Sequence, residues 1–306
     1  MSAMCRIYNY ADDNTIAVDG HSYPEVLQQL ELSASHMIKW FDITSLKANT
    51  EKFQFIIFDK SDHSHHSIEL HGKSIENKDT VKLLGVHIDK HLTFDSHITE
   101  LCLKAGRKLN VLSRLSNILD VNAKMRLNNA FIMSQFQYCV CIWHFCNKTN
   151  TRTIEKIQCR ALRHIYNDYT SSYQHLRETH TVPLLYVKRI RKIMVEMYKI
   201  VNGISPIYLK NMISHRENIY NLRSSDVQLP QWSTSKYGHN TFKYQATKLW
   251  RSLTGQDKEL ASLTSFKMYI NQWNGPMCSC SHCILCVLNQ LWIPLYDNTW
   301  CWVAQF

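Results

Sequence analysis

Arg6-Ile7-Tyr8-Asn9-Tyr10-Ala11-Asp12-Asp13-Asn14-Thr15-Ile16-Ala17-Val18 sets two short apolar runs around an acidic centre. Ile7, Tyr8 and Tyr10 precede Asp12 and Asp13, and Ile16 and Val18 follow them. β-Branched and aromatic residues favour strands, and Asp-Asp-Asn is turn chemistry, so the stretch reads as a hairpin with two carboxylates at its tip. Adjacent carboxylates repel unless a cation offsets them. A Mg²⁺ site that also holds substrate phosphates is one reason to build such a tip. A solvated acidic turn is the plain alternative.

The rest of the composition bounds the setting. The chain has 306 residues, 45% hydrophobic and 20% charged, which is globular and long enough for two or three domains. Lys and Arg number 35 against 25 Asp and Glu, a formal charge of +10. That excess suits a polyanion, nucleic acid first and an anionic membrane surface second. Met1 to Arg6 holds no apolar run suited to a signal peptide, and no stretch reaches the ~18 apolar residues of a membrane span. The expected setting is therefore intracellular, nucleus or cytoplasm, not secreted and without a membrane partner. The 11 cysteines are expected as thiols or metal ligands, not as a disulfide framework.

Outward from the hairpin, Pro24 to Phe41 carries Val26, Leu27, Leu30, Ile38 and Phe41 near helical spacing, with Pro24 placed to start a helix. Phe53 to Phe58 reads as an apolar strand, the His-rich Asp62 to His66 as a loop, and Val81 to Asp89 as a further strand. Gly85 within it allows close backbone approach to a ligand, or marks a structural bulge. Asp95 or Ser96 is placed to cap a helix with Ile98, Leu101, Ala105, Leu109, Leu112, Ser116 and Leu119 on one stripe. Lys104, Arg107, Lys108 and Arg114 fall away from that stripe, with no acid between Glu100 and Asp120. Such a helix suits a nucleic-acid backbone, and a solvated charged face is the alternative. Helices follow over Asn122 to Ile142, with Leu127, Ala130, Phe131 and Tyr138 inward, and over Thr153 to Ile165, with Arg160, Arg163 and His164 outward. Val187 to Val201 begins with Lys188, Arg189, Arg191 and Lys192, four cations that oppose the helix dipole and need an outside reason or are tolerated. Ala246 to Leu253 and Ser262 to Trp273 also read as helical. Near the end, Cys278, Cys280, Cys283 and Cys286 lie within nine residues, close enough to share a structural zinc ion, with Cys283 and Cys286 the better-spaced pair.

Tyr10-Ala11-Asp12-Asp13 between strand-like runs resembles the active-site hairpin of reverse transcriptases. Phe53-Gln54-Phe55, Leu83 to Asp89, His97-Ile98 and Tyr138 to Trp143 follow in the order seen in non-LTR (LINE-like) retrotransposon reverse transcriptases, and the resemblance runs from residue 6 to about Cys286. It implies an α+β fold: a partial polymerase palm of antiparallel strands with a packed helix (1–94), then a mainly helical thumb (95–175) and C-terminal region (176–275), and a cysteine cluster with tail (276–306). It implies Mg²⁺ or Mn²⁺ held by Asp12 with Asp13 in support, Lys52 beside the nucleotide, and Gly85 in the primer grip. It also implies the cationic thumb row on a duplex, and RNA template and DNA primer as partners. Leu249-Trp250-Arg251-Ser252-Leu253-Thr254 departs from the family's Leu-Trp-Asn-x-Leu-Pro at Arg251 and Thr254. The family's other metal-binding aspartate and its fingers lie upstream, and nine residues precede Tyr10 here. The expectation is a polymerase fragment inactive alone unless an upstream polymerase portion joins it. The alternative is a non-catalytic nucleic-acid-binding remnant with a basic thumb and zinc knuckle.

Overall fold

Turn chemistry at the acidic pair doubles the chain back on itself, and the helix after that ribbon carries one side of the first unit's small core. The computed structural model describes residues 4–58, 65–214, 227–231 and 238–275. It is an α+β chain in two units, Met1–Leu92 and Thr93–Phe306. In the first, β1 (Met4–Tyr10) pairs antiparallel with β2 (Asp13–Asp19), Ile7 opposite Ile16 and Tyr10 opposite Asp13. Helix α1 (Tyr23–Ile43) has Pro24 in its first turn, where a missing N–H costs nothing. Its Leu27, Leu30, Ala34 and Ile38 pack with Phe55, Ile68 and Leu70 into a small core. β3 (Ser67–Leu70) pairs with β4 (Lys73–Glu76), and β5 (Thr80–Leu83) with β6 (Val86–Asp89).

Two strand expectations change here. Residues 53–58 join no ladder; Phe55 forms an isolated bridge to Asn77, and Gln54 Nε2 donates to Lys82 O of β5. Phe53, Phe55 and Ile57 turn alternately into the small core, so their apolarity serves burial alone. Val81 to Asp89 is not one strand but a tight hairpin. Leu84 (φ 45°) and Gly85 (φ 82°) are both left-handed, as a two-residue turn of the I′ kind requires. Apolar residues on both sides of that turn hid it.

The second unit is helical. In α2 (Asp95–Arg114), Ile98, Leu101, Ala105, Leu109 and Leu112 are all buried, as their spacing predicts. The residue before it is Phe94, in a left-handed conformation, and Asp95 lies just inside. The Asp95 carboxylate accepts from the side-chain amides of Asn147 and Asn150, joining the starts of two helices. The long helix expected over Asn122 to Ile142 is broken. α3 (Val121–Leu127) runs into a π turn over Asn128–Ile132 and a 3₁₀ turn over Met133–Gln137, then α4 (Val140–Trp143). A π turn inserts a residue and rotates the faces beyond it. Burial therefore falls on Ile132, Met133, Phe136, Val140 and Trp143, while Phe131 and Tyr138 are exposed.

Helix α5 (Lys148–Tyr166) is capped by Asn147 and packs on α2. α6 (Tyr173–Thr179), α7 (Leu185–Val201), α8 (Ile207–Lys210) and the helices Phe242–Arg251, Gly255–Lys258 and Leu263–Gln272 follow among the described residues. One apolar cluster runs from Ile98 to Ile270. Lys124, 2% exposed, donates to Ser116 O, His164 O and Asn167 Oδ1, so a buried cation is satisfied by carbonyls around the ends of α2 and α5. The four cations that open α7 also have an internal account. The buried Glu155 carboxylate accepts from Leu185 N (3.2 Å), Tyr186 N (2.6 Å) and Tyr173 Oη (2.6 Å), placing negative charge at the start of that helix. Among the described residues no helix is long and apolar enough to cross a membrane.

Candidate metal and nucleic-acid sites

At the hairpin tip, Asp13 opens β2 opposite Tyr10, and Ala11 and Asp12 form the two-residue turn. Ala11 sits at φ 52°, a left-handed position that costs an alanine energy, and Asn14 Nδ2 donates to Asp12 O at 3.1 Å. Both carboxylates are exposed, as are Ile7, Tyr8 and Tyr10. Two adjacent carboxylates open to solvent fit a Mg²⁺ ion that keeps waters and phosphates as its other ligands. Among the described residues no three His, Cys, Asp or Glu side chains gather as a metal site, so the tip supplies at most part of one. Lys52 ends a 3₁₀ turn (Thr50–Lys52), exposed and outside any strand. Gly85 takes a left-handed position of the β5–β6 turn. His66 stacks on Tyr23 at 4.9 Å between ring centres.

In the second unit Arg107 and Arg114 project opposite the buried stripe of α2, in company with exposed Leu103 and Val111. Lys108 is half-buried on the flank, and Lys104 forms an ion pair with Glu100 one turn away. The α7 cations turn inward. Arg189 is 1% exposed between the rings of Trp143 (5.3 Å) and Tyr186 (5.8 Å). Arg191 donates to Trp273 O and Asn274 Oδ1, and Lys192 to Gln137 O. Burial pushes the Lys188 ammonium below its usual range. The contacts of Arg189, Arg191 and Lys192 tie α7 to neighbouring parts of the unit.

Cys5, Cys102, Cys139, Cys141, Cys146 and Cys159 are free thiols. Burial pushes Cys102 up to about 11 and Cys141 up to about 12, so both stay protonated. Cys278, Cys280, Cys283 and Cys286 lie outside the described residues.

Charge divides sharply between the units. Residues 1–92 hold nine Lys and Arg against 13 Asp and Glu; of the chain's 35 and 25, residues 93–306 keep 26 and 12. The sequence reading also missed part of a cationic row. Arg160 is outward on α5 as expected, whereas Arg163 is half-buried; the helix begins five residues earlier than its apolar spacing suggested, at Lys148. Arg152 therefore joins the same helix, and Lys156 completes the row.

No family model matches the chain, and no solved structure matches it. Among curated proteins it is similar to the RNA-directed DNA polymerase from mobile element jockey of Drosophila melanogaster, 24% identical over 162 residues, and to its Drosophila funebris counterpart, 23% identical. The probable RNA-directed DNA polymerase from transposon BS of Drosophila melanogaster is 27% identical over 161 residues. Each match covers about half of this chain and 18% of the relative's length.

Proposed function

We propose, from this similarity to the RNA-directed DNA polymerases of mobile elements, that the chain is a reverse-transcriptase portion whose helical unit binds nucleic acid. The observation that carries the reading is the charge division: an acidic hairpin unit, and a helical unit with 26 Lys and Arg against 12 acids. Phosphate backbones are the polyanion such a unit meets in a polymerase, an RNA template paired with a DNA primer. Arg107 and Arg114, flanked by Lys104 and Lys108, contact that backbone. Asp12 would hold a Mg²⁺ or Mn²⁺ ion, with Asp13 in support, Lys52 near the nucleotide and Gly85 near the primer. Bound there, the metal would supply charge stabilisation for phosphoryl transfer. Two carboxylates stand at the tip, and among the described residues no third ligand gathers with them, which supports a reading of binding without polymerisation for the chain alone. An upstream polymerase portion supplying a further carboxylate would complete the site. Cys278, Cys280, Cys283 and Cys286 hold a structural zinc ion, which metal analysis of the wild type against a Cys283→Ser/Cys286→Ser double variant tests.

The direct test is binding of the full chain to an RNA–DNA hybrid across a salt series. Affinity should fall steeply with salt and show slight sequence preference, because phosphate contacts carry no base identity. Affinity indifferent to salt, or none at low salt, would refute the reading.

A further inference from the structure

The outer face of α5 carries a cationic row unlike the one on α2. At ~100° per residue, Arg152, Lys156, Arg160 and Arg163 fall within an arc of roughly 80°. That arc lies opposite the face formed by Thr151, Ile154, Gln158, Ala161, Leu162 and Ile165, all buried. Lys156 and Arg160 are exposed, and Arg152 and Arg163 are half-buried, with the Nε of Arg163 inside the protein. Among the described residues none of the four has a carboxylate partner. The single acid of the helix, Glu155, is 1% exposed and occupied by Tyr173 and the start of α7.

Four like charges on one helix face repel at i,i+4 spacing, and among the described residues no carboxylate pairs with any of them. The α2 row is different: Lys104 is paired with Glu100, and Leu103 and Val111 interrupt the face. From Arg152 to Arg163 the row spans roughly 16 Å of helix. One strand of a duplex presents a phosphate every ~3.4 Å along its axis, so about five phosphates lie within reach of that length.

We propose that the outer face of α5, with Arg152, Lys156, Arg160 and Arg163, is a phosphate-backbone contact surface for duplex nucleic acid, carrying more of the electrostatic binding than the α2 row. It rests on the reading that the helical unit holds nucleic acid, and goes beyond it in assigning the contact to a different helix. Each cation that displaces a counterion contributes ~0.9 to the slope of log affinity against log salt on duplex DNA.

The experiment compares three full-length proteins on a labelled RNA–DNA hybrid of about 20 base pairs, from about 50 to 300 mM NaCl. They are the wild type, the α5 variant Arg152→Gln/Lys156→Gln/Arg160→Gln/Arg163→Gln, and the α2 variant Lys104→Gln/Arg107→Gln/Lys108→Gln/Arg114→Gln. A triple α5 variant that keeps the half-buried Arg163 guards against loss of folding, checked by circular dichroism. The α5 variant should lose about three to four units of slope, the triple about one less, and the α2 variant fewer than either. A wild type with a steep slope that the α5 variants retain would overturn the α5 assignment and leave nucleic-acid binding standing. No binding by the wild type would overturn both. Loss of binding to phosphatidylserine vesicles in the α5 variants, with hybrid binding unchanged, would assign the face to a membrane surface and overturn the proposal.

Discussion

Glu155 sits with both oxygens engaged by Tyr173 and two α7 amides, deep between helices. A hydrogen bond to a charged group contributes ~1.5–3 kcal/mol, and an orphaned buried partner costs ~1–3. Glu155→Gln should therefore lower stability by about 2–3 kcal/mol, read as a lower urea midpoint at unchanged m, and Tyr173→Phe by about 1. An unchanged midpoint in Glu155→Gln would show that the carboxylate contributes nothing. His144 gives a second residue-scale outcome. It is fully buried, and burial first and the Arg189 guanidinium second hold its pKa well below the usual value. The unfolded chain takes up that proton below about pH 6.5, while the folded one resists. The contribution is complete above that pH and is lost as pH falls towards the folded value, by up to ~1.4 kcal/mol per unit. His144→Gln should flatten the acid limb of stability against pH by about one proton, and an identical limb in both proteins would refute this.

Two turns test backbone demands at the scale of elements. Ala11 occupies a left-handed position that glycine takes without penalty, so Ala11→Gly should stabilise the β1–β2 hairpin by about 1 kcal/mol. Gly85 makes the opposite case: Gly85→Ala should weaken the β5–β6 hairpin by about 1 kcal/mol, while Gly85→Asn keeps the turn. Amide-exchange protection in the two hairpins measures both. If Gly85→Asn preserves protection yet lowers hybrid affinity, the glycine also serves the close approach expected of it. These elements differ in how far they could be read from sequence. The α2 stripe was legible because five buried residues keep one helical period. The π turn at Asn128–Ile132 was not, since one inserted residue shifts a face without changing composition. Glu155 was illegible for a related reason: an acid on a basic helix looks like an exposed partner until its capping role across the core is seen. The acidic tip was plain in sequence, whereas the α5 row needed the true start of its helix.

At the scale of the whole molecule, charge separates between the two units. Cations concentrate in residues 93–306, and the carboxylates of interest stand on the exposed hairpin of residues 1–92. Phosphoryl transfer needs metal charge fixed on both the attacking and the leaving oxygens, which takes ligands beyond one pair of neighbouring carboxylates. Asp12 and Asp13 stand exposed at the hairpin tip, where two carboxylates alone leave most of a metal ion's coordination to other ligands. The chain assayed alone on primed RNA with Mg²⁺ or Mn²⁺ should incorporate no nucleotide above an Asp12→Asn control, while both proteins bind the hybrid with the same salt slope. Equal slopes would show that the substitution left the cationic unit intact, so that the comparison isolates chemistry. Incorporation by the wild type that Asp12→Asn abolishes would mean the tip is a working metal centre within these 306 residues, and would replace the binding-only reading with a polymerase.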